Sequence, residues 1–311
     1  MDIPAAPAQA ERIASPSEAQ PPNPPEVEAK GPAEEPAPAP APAPTPAPAP
    51  VVERSVERTD PAPAAPAPAI AGFPVEGRPQ PEVLEVPANV AAVVNAMDRY
   101  DSDRDLDAGR HPGELLAFLG LKKGMHVGEL FAGKGYTTEL LARAVGSSGV
   151  VWAENPPALL RSVGRQFGER LGKGVMGNTN RVDAPADAAW PSEARNLDAI
   201  VIVLAYHDAA AMGVDRAAMN KAAFEALKPG GEYVLVDHSA VPGHGTKDCK
   251  SLHRVDETTV IREVTAAGFK SDDSADFLRN PNDNRDWNAS PAAAGDKRGT
   301  SDRFVLKFVR P

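Results

Sequence analysis

Two groups of residues in this chain have the types and spacing to do chemistry. The first is Glu129-Leu-Phe-Ala-Gly133-Lys-Gly135, followed 19 residues after Gly135 by a second carboxylate, Glu154. Two glycines in a short turn let the backbone bend sharply and come close to a ligand. An acid at the tip of the following strand can accept the hydroxyls of a ribose. The second group is a set of histidine–carboxylate neighbours, His207-Asp208 and Asp237-His238, with His244 and His253 downstream. Imidazoles beside carboxylates can move protons near neutral pH. The first group therefore reads as a cradle for a nucleotide-like cofactor, the second as a source of general bases.

A doubly wound α/β sheet would position these residues. His126 to Phe131 is short and mostly apolar, as a central parallel strand is. After the glycine turn a helix begins at Thr137 or Thr138 and runs through Val145 until Gly146 stops it. A ligand at the turn would meet free N–H groups at that helix N-terminus. Gly149 to Glu154 reads as strand two, and Asn180-Arg-Val-Asp183 as the end of strand three. Leu197 to Leu204 is a near-continuous apolar run, hence a strand buried on both faces. Ala217 to Leu227 has a helical pattern ended by Lys228-Pro-Gly-Gly231, and Glu232 to Val236 follows as strand five. Lys270 to Phe277 reads as strand six, and the alternating Asp302 to Val309 as strand seven, antiparallel and near the sheet edge. The expected fold is thus a Rossmann-like, doubly wound seven-stranded sheet, mostly parallel with an antiparallel last strand.

The dinucleotide fingerprint G-x-G-x-x-G is incomplete, because Thr138 stands at its third glycine. Glu129-Leu-Phe-Ala-Gly133-Lys-Gly135 instead resembles motif I of class I S-adenosylmethionine-dependent methyltransferases, although members often carry glycine where this chain has Phe131. The order helix, Leu227-Lys-Pro-Gly-Gly231, strand also resembles the segment before strand five of that superfamily. The resemblance covers roughly Asp103 to Pro311. It implies S-adenosyl-L-methionine as cofactor, held at the turn by Glu129, Phe131, Gly133, Gly135, Tyr136 and Thr138. It places Glu154 on the ribose, Asp183 near the adenine amino group, and Ala205 and Tyr206 after strand four, where Tyr206 either packs on the adenine or shapes the methyl tunnel, or equally is ordinary core. The short motifs Tyr206-His207-Asp208, Asp237-His238, Leu252-His253-Arg254, Arg279-Asn280-Pro281 and Asp302-Arg303-Phe304 resemble those of a group of bacterial predicted methyltransferases. That likeness implies methyl transfer and identifies no substrate.

Ligands of an open parallel sheet sit outside the carboxyl ends of its strands. Four of the six histidines, His207, His238, His244 and His253, fall in two loops at that end. His207 is the first choice of general base, oriented by Asp208; His238 beside Asp237 is the second. The polar run from Asp103 to Pro112 is expected to fold back over the cofactor or to form a solvated helix start. The connection of about 24 residues from Leu278 is too long for a hairpin turn; its Arg279, Asn280, Arg285, Asp286 and Trp287 form a lid over the substrate in one reading and a loose surface excursion in the other. His207, Asp208, Asp237, His238 and His253 offer donors of the kind zinc or iron takes, but no H-E-x-x-H spacing joins them. No metal is assigned to the site on sequence grounds.

Composition bounds the rest. Residues 1–90 hold 24 of the 34 prolines, and Pro36 to Pro50 is almost alternating Ala-Pro. Such a segment buries too little apolar surface to offset its ordering entropy. Residues 1–85 are therefore expected to be a disordered Ala/Pro-rich tail or spacer, and 86–311 the methyltransferase-like domain. The net charge of −10 argues against nonspecific nucleic-acid binding. No apolar run reaches membrane-spanning length, and the lone Cys249 excludes an intrachain disulfide. The expected partner is a small molecule or an envelope component. The compartment is cytoplasmic as the sequence reads, periplasmic or envelope-tethered if an export leader has been removed. Two other readings compete: a non-catalytic methyltransferase-like binding module, and a nicotinamide-dependent oxidoreductase, which Thr138 and the Leu-Lys-Pro-Gly-Gly segment disfavour.

Overall fold

The structure, a computed structural model, describes residue 81 and residues 83–311. The expected tail lies outside the described residues except for its last few. Of these, Leu84 packs against the core, and the Val86 methyls face Gly113. The expected boundary at 85/86 thus cuts between two side chains that both contact the domain.

Seven strands form one sheet: β1 (His126–Leu130), β2 (Val150–Glu154), β3 (Thr179–Val182), β4 (Leu197–Val203), β5 (Leu227–His238), β6 (Lys270–Ala275) and β7 (Arg303–Val309). Their order is β3-β2-β1-β4-β5-β7-β6. β1 to β5 pair in parallel, while β7 runs antiparallel to both β5 and β6. The chain reverses its direction of growth between β1 and β4, the crevice where sheets of this kind take ligands. Nine helices flank the strands among the described residues: α1 (Ala88–Val94), α2 (Asp101–Arg110), α3 (Pro112–Leu119), α4 (Tyr136–Val145), α5 (Pro157–Leu171), α6 (Tyr206–Ala211), α7 (Arg216–Ala226), α8 (Cys249–Leu252) and α9 (Glu257–Ala266).

The two faces of the sheet alternate as the period of a strand requires. Ile200, Ile202, Tyr233 and Leu235 pack with Tyr206, Met219, Ala223, Val260 and Val264 from α6, α7 and α9. Ala199, Val201, Val234 and Val236 point the other way, against Leu115 and Leu116 of α3, Leu140 and Leu141 of α4, and Phe167 of α5. The two edges are short or charged: β3 reads Thr-Asn-Arg-Val and β6 Lys-Ser-Asp-Asp-Ser-Ala, which blunts pairing with another chain.

One boundary differs from the sequence reading. β5 begins at Leu227, before Lys228-Pro-Gly-Gly231. Leu227 pairs with Leu197 and the next pair is Glu232 with Ala199, so the four residues between bulge out of register. No helix among the described residues is long and apolar enough to cross a membrane.

Candidate functional site

The turn between β1 and α4 is built as a cradle. Gly133 and Gly135 have φ of 60° and 86°, the left-handed region where glycine is favoured. A Cβ on Gly135 would meet Arg170 Cδ at 2.8 Å and Phe167 at 2.9 Å. Phe131, at the position where the resembling family often has glycine, also adopts φ 55°. Its backbone N–H donates to Glu154 Oε2 at 2.9 Å. Asn155 holds the turn from the other side: Oδ1 accepts from Gly133 N at 2.8 Å, and Nδ2 donates to Gly133 O at 3.1 Å. Arg170 braces it from behind, donating to Lys134 O at 2.8 Å and to Asp103 and Glu139 at 2.6 and 2.7 Å. Asn155 was not singled out from sequence. Its place next to Glu154 at the strand tip was the available signal.

The two carboxylates of the cradle are both buried. Glu154 is fully enclosed, and its Oε1 has no hydrogen-bond partner. Burial pushes its pKa up to about 8; the Phe131 amide works against this, and the nearby Glu129 and Asp183 charges add to it. An orphaned acceptor atom beside a glycine turn is what a ribose hydroxyl would satisfy. Glu129 Oε2 accepts from Thr138 Oγ1 at 2.5 Å. Burial raises its pKa to about 7, with Thr138, Arg110 and Arg170 opposing. Thr138, at the position of the third glycine of the dinucleotide fingerprint, is wholly buried and engaged in that bond. Tyr136 donates to Asp107 Oδ1 at 2.6 Å, with the Arg110 guanidinium 4.4 Å from its ring centroid. The polar run from Asp103 is therefore the helix α2, lying against the cradle. Asp183 is exposed at the end of β3 and takes two bonds from Arg181 Nε, at 2.8 and 3.0 Å.

Tyr206 is not at the cofactor face. It is fully buried in the core on the α7/α9 side, donating to Glu263 Oε2 at 2.7 Å and accepting from Asn220 Nδ2 at 2.9 Å. The expectation that it stacks on the adenine or lines a methyl tunnel is corrected: the α6 helix begins at Tyr206 itself and turns the ring inward. Ala205, just before it, is also buried.

Three imidazoles gather at the carboxyl ends of β4 and β5. The ring centroids of His238 and His253 lie 5.7 and 5.4 Å from that of His207. His244 stands apart, paired with Asp248 at 2.7 Å. His207 is oriented by Asp237 rather than by Asp208. Its backbone N–H donates to Asp237 Oδ2 at 2.8 Å, and Nδ1 lies 2.6 Å from Asp237 Oδ1. Asp208 Oδ1 instead faces Nε2 at 3.3 Å. Burial works to discharge the ring, but Asp237 and Asp208 outweigh it and hold the pKa up at about 10. At neutral pH, then, His207 is set to carry a positive charge, which does not suit the first choice of base. His238 is the opposite case. Burial and the neighbouring His207, Arg303 and Arg254 charges push its pKa well below the usual range. Its Nδ1 meets Ser301 Oγ at 2.6 Å, and no partner occupies its Nε2 among the described residues.

The connection after β6 is tied down. Arg254, fully buried, pairs with Asp283 at 2.8 Å and lies 4.7 Å from the Trp287 ring centroid. Trp287 Nε1 donates to Asp283, Arg285 pairs with Asp302, and Arg279 pairs with Glu257 and Asp276. Arg279, Arg285 and Trp287 are thus committed to structural pairs that seal the end of β5.

No family model matches the sequence. The chain is 34% identical over 121 residues to the ubiquinone/menaquinone biosynthesis C-methyltransferase UbiE of Pasteurella multocida, covering 39% of this chain and 42% of that protein. It is 30% identical over 159 residues to its namesake from Shewanella halifaxensis, covering 51% and 59% respectively. The chain therefore spans about half the length of the curated relatives it matches. Among solved structures, a SAM dependent methyltransferase from Aquifex aeolicus aligns with a TM-score of 0.49 at 15% identity, covering 68% of this chain and all of that one. In the reversal of its sheet at β1 and β4, in the antiparallel β7 inside the sheet edge, and in a third of the residues aligned over part of each chain, this protein is similar to the class I S-adenosylmethionine-dependent methyltransferases.

Proposed function

We propose that this chain transfers a methyl group from S-adenosylmethionine to a small-molecule or envelope-component acceptor. The observation that carries the reading is Glu154 Oε1, a buried acceptor atom without a partner beside the glycine turn. In this reading Glu154 receives the ribose hydroxyls, and the Gly133–Gly135 backbone accommodates the cofactor at the start of α4. Asp183 lies toward the adenine. Arg110, which has no carboxylate partner among the described residues, is placed for the cofactor's own carboxylate. The names of the curated relatives, C-methyltransferases of quinone biosynthesis, support a small-molecule acceptor.

The cofactor, when bound, supplies an activated methyl group on a sulfonium, open to in-line displacement. The protein's own task is then mainly orientation, worth about 7–11 kcal/mol. For a hydroxyl or protonated amine acceptor a base adds roughly 100- to 10,000-fold. His238 fits that role by geometry, because Ser301 engages Nδ1 and leaves Nε2 uncommitted. His207 acts beside it as a charged, oriented group held by Asp237, with Asp208 on its far nitrogen. The domain of the proposal is 86–311 extended back to include Leu84.

Calorimetric titration with S-adenosylmethionine, S-adenosylhomocysteine and NADH tests the reading. Binding of the first two alone supports it, and binding of NADH alone overturns it. Glu154→Ala should weaken S-adenosylhomocysteine about tenfold or more, since ribose hydroxyls donating to Glu154 favour its ionised form and bonds to a charged acceptor are worth about 1.5–3 kcal/mol each. Unchanged affinity would remove Glu154 from the ribose site. His238→Ala should keep cofactor affinity and lose methyl transfer; retained transfer would take the base role from His238.

A further inference from the structure

His207 is oriented so that, in its neutral form, Nε2 can act as a ligand. Asp237 Oδ1, 2.6 Å from Nδ1, fixes the proton on that nitrogen. The Nε2 position then points the other way, toward Asp208 Oδ1 at 3.3 Å. His253 brings a third donor to the same place. It caps α8 with φ 52°, its ring centroid lies 5.4 Å from that of His207, and its Nδ1 is buried without a hydrogen-bond partner. One donor atom from each of His207, Asp208 and His253 lies within 4.8 Å of the other two.

We propose that His207, Asp208 and His253 form a binding site for a divalent transition-metal ion at the carboxyl ends of β4 and β5. This departs from the sequence reading, which assigned no metal because no short spacing joins the three. The residues come together only through the fold: Asp208 lies in α6, while His253 follows α8, 45 positions further on.

Four observations carry the proposal. A tetrahedral ion with bonds of about 2.0–2.1 Å spaces its donors by about 3.3 Å, the separation between His207 Nε2 and Asp208 Oδ1. Asp237 stands where metal-ligating histidines usually have a carboxylate, on the ring nitrogen away from the ion, fixing the tautomer. Neither Asp208 nor Asp237 has an Arg or Lys partner among the described residues. A dication balances these two carboxylates, whereas one protonated imidazole leaves a charge uncompensated. Finally, two imidazoles and one carboxylate suit zinc or iron(II); magnesium and calcium prefer oxygen alone.

His238 stands outside the ligand set: among the described residues, the donor atoms that lie within 4.8 Å of one another come from His207, Asp208 and His253. Asp208 and His253 are half-buried, so an ion can enter from solvent. Three protein ligands leave a coordination position open. That this position would hold an oxygen of the methyl acceptor is the one step that rests on the proposed function.

The test uses the untagged full chain, stripped with chelator, reloaded with zinc and analysed for metal content. Affinity is read by competition with a zinc indicator, and site geometry by the visible spectrum of the cobalt(II)-substituted chain. His253→Asn keeps a residue that tolerates left-handed backbone, and Asp208→Asn changes a half-buried helix position. The proposal expects one zinc per chain and an affinity loss of at least ~10-fold in each variant, with Asp237→Asn weakening binding by roughly 10- to 100-fold. Melting curves establish that the variants are folded. Less than roughly a tenth of an equivalent in the wild type, or unchanged affinity in both folded ligand variants, would overturn it. S-adenosylhomocysteine affinity, set at the Glu154 cradle, reports separately on the methyltransferase reading.

Discussion

The carboxamide of Asn155 grips both polar groups of the Gly133 peptide unit, accepting from its N–H at 2.8 Å and donating to its carbonyl at 3.1 Å. A side chain that is completely buried thus replaces the ladder partners that the turn gives up. Asn155→Ala would leave two half-buried groups without their partner, at up to about 1–3 kcal/mol each. The expected result is a lower melting temperature, by about 2–4 °C per kcal/mol for a domain of this size. Weaker S-adenosylhomocysteine binding should accompany it. Thermal melts and calorimetry on one preparation check both; an unchanged melt would show that the turn holds without the clamp.

Gly135→Ala should be worse tolerated than a substitution at an exposed glycine. The added methyl would lie 2.8 Å from Arg170 Cδ and 2.9 Å from Phe167, in a backbone conformation of φ 86°. Left-handed backbone costs a non-glycine residue roughly 1–2 kcal/mol, and overpacking typically adds about 1–3 kcal/mol. Gly213→Ala is the control, because it shares a positive φ of 73° and has nothing within 4 Å. Equal losses in the two variants would refute the steric part.

The stability of the ligand-free chain should fall as pH rises from weakly acidic to weakly basic. Glu129 and Glu154 ordinarily titrate near 4.5 and are raised by burial to about 7 and about 8. Between the two limits the folded chain retains protons that the unfolded chain has released. Stability is therefore full below the ordinary value and is lost as pH passes through the folded ones. Glu154→Gln removes one of these protons from the balance. Its melting temperature, relative to wild type, should rise as pH goes from about 5 to about 8.5. A pH-independent difference would mean that Glu154 titrates normally.

The pair Arg254–Asp283 should behave as a buried ion pair does when one member is lost. Asp283 accepts from Arg254, from Trp287 Nε1 and from the Asp302 amide, and Arg254 has no exposure at all. Asp283→Ala should cost about 3–5 kcal/mol and loosen the connection between β6 and β7. Urea denaturation measures the first effect and limited proteolysis between residues 278 and 302 the second. Protection equal to wild type would show that Arg285 and Arg279 suffice.

Much of the sheet was legible because its strands are short apolar runs between glycine and proline signals. The β5 start was missed because Leu227 looks like the last residue of a helix, and only its pairing with Leu197 shows otherwise. Among site residues, the acids of the cradle were found by their spacing from glycines. Asp237 was read as the partner of its neighbour His238, yet adjacent residues of a strand face opposite ways. Its carboxylate therefore reaches His207 beyond the end of β4. Of the two readings of Tyr206 the core one holds, and sequence does not decide between them because its partner Glu263 lies 57 residues away, beyond any local pattern. The ion pairs that fix the connection after β6 were equally out of reach, since Arg254 and Asp283 lie 29 positions apart and meet only in the fold.

That β7 lies between β5 and β6 sets an order of events during biosynthesis. β6 is made before β7 but has no other hydrogen-bonded neighbour, so it must wait. Until Arg303–Val309 leaves the ribosome, β5 presents an open apolar edge through Val234, Leu235 and Val236. A chain stalled or cleaved before Arg303 would hold an otherwise finished sheet with that edge bare, a ready template for self-association. Quality control by chaperones should therefore bear hardest on the interval in which β7 is still missing.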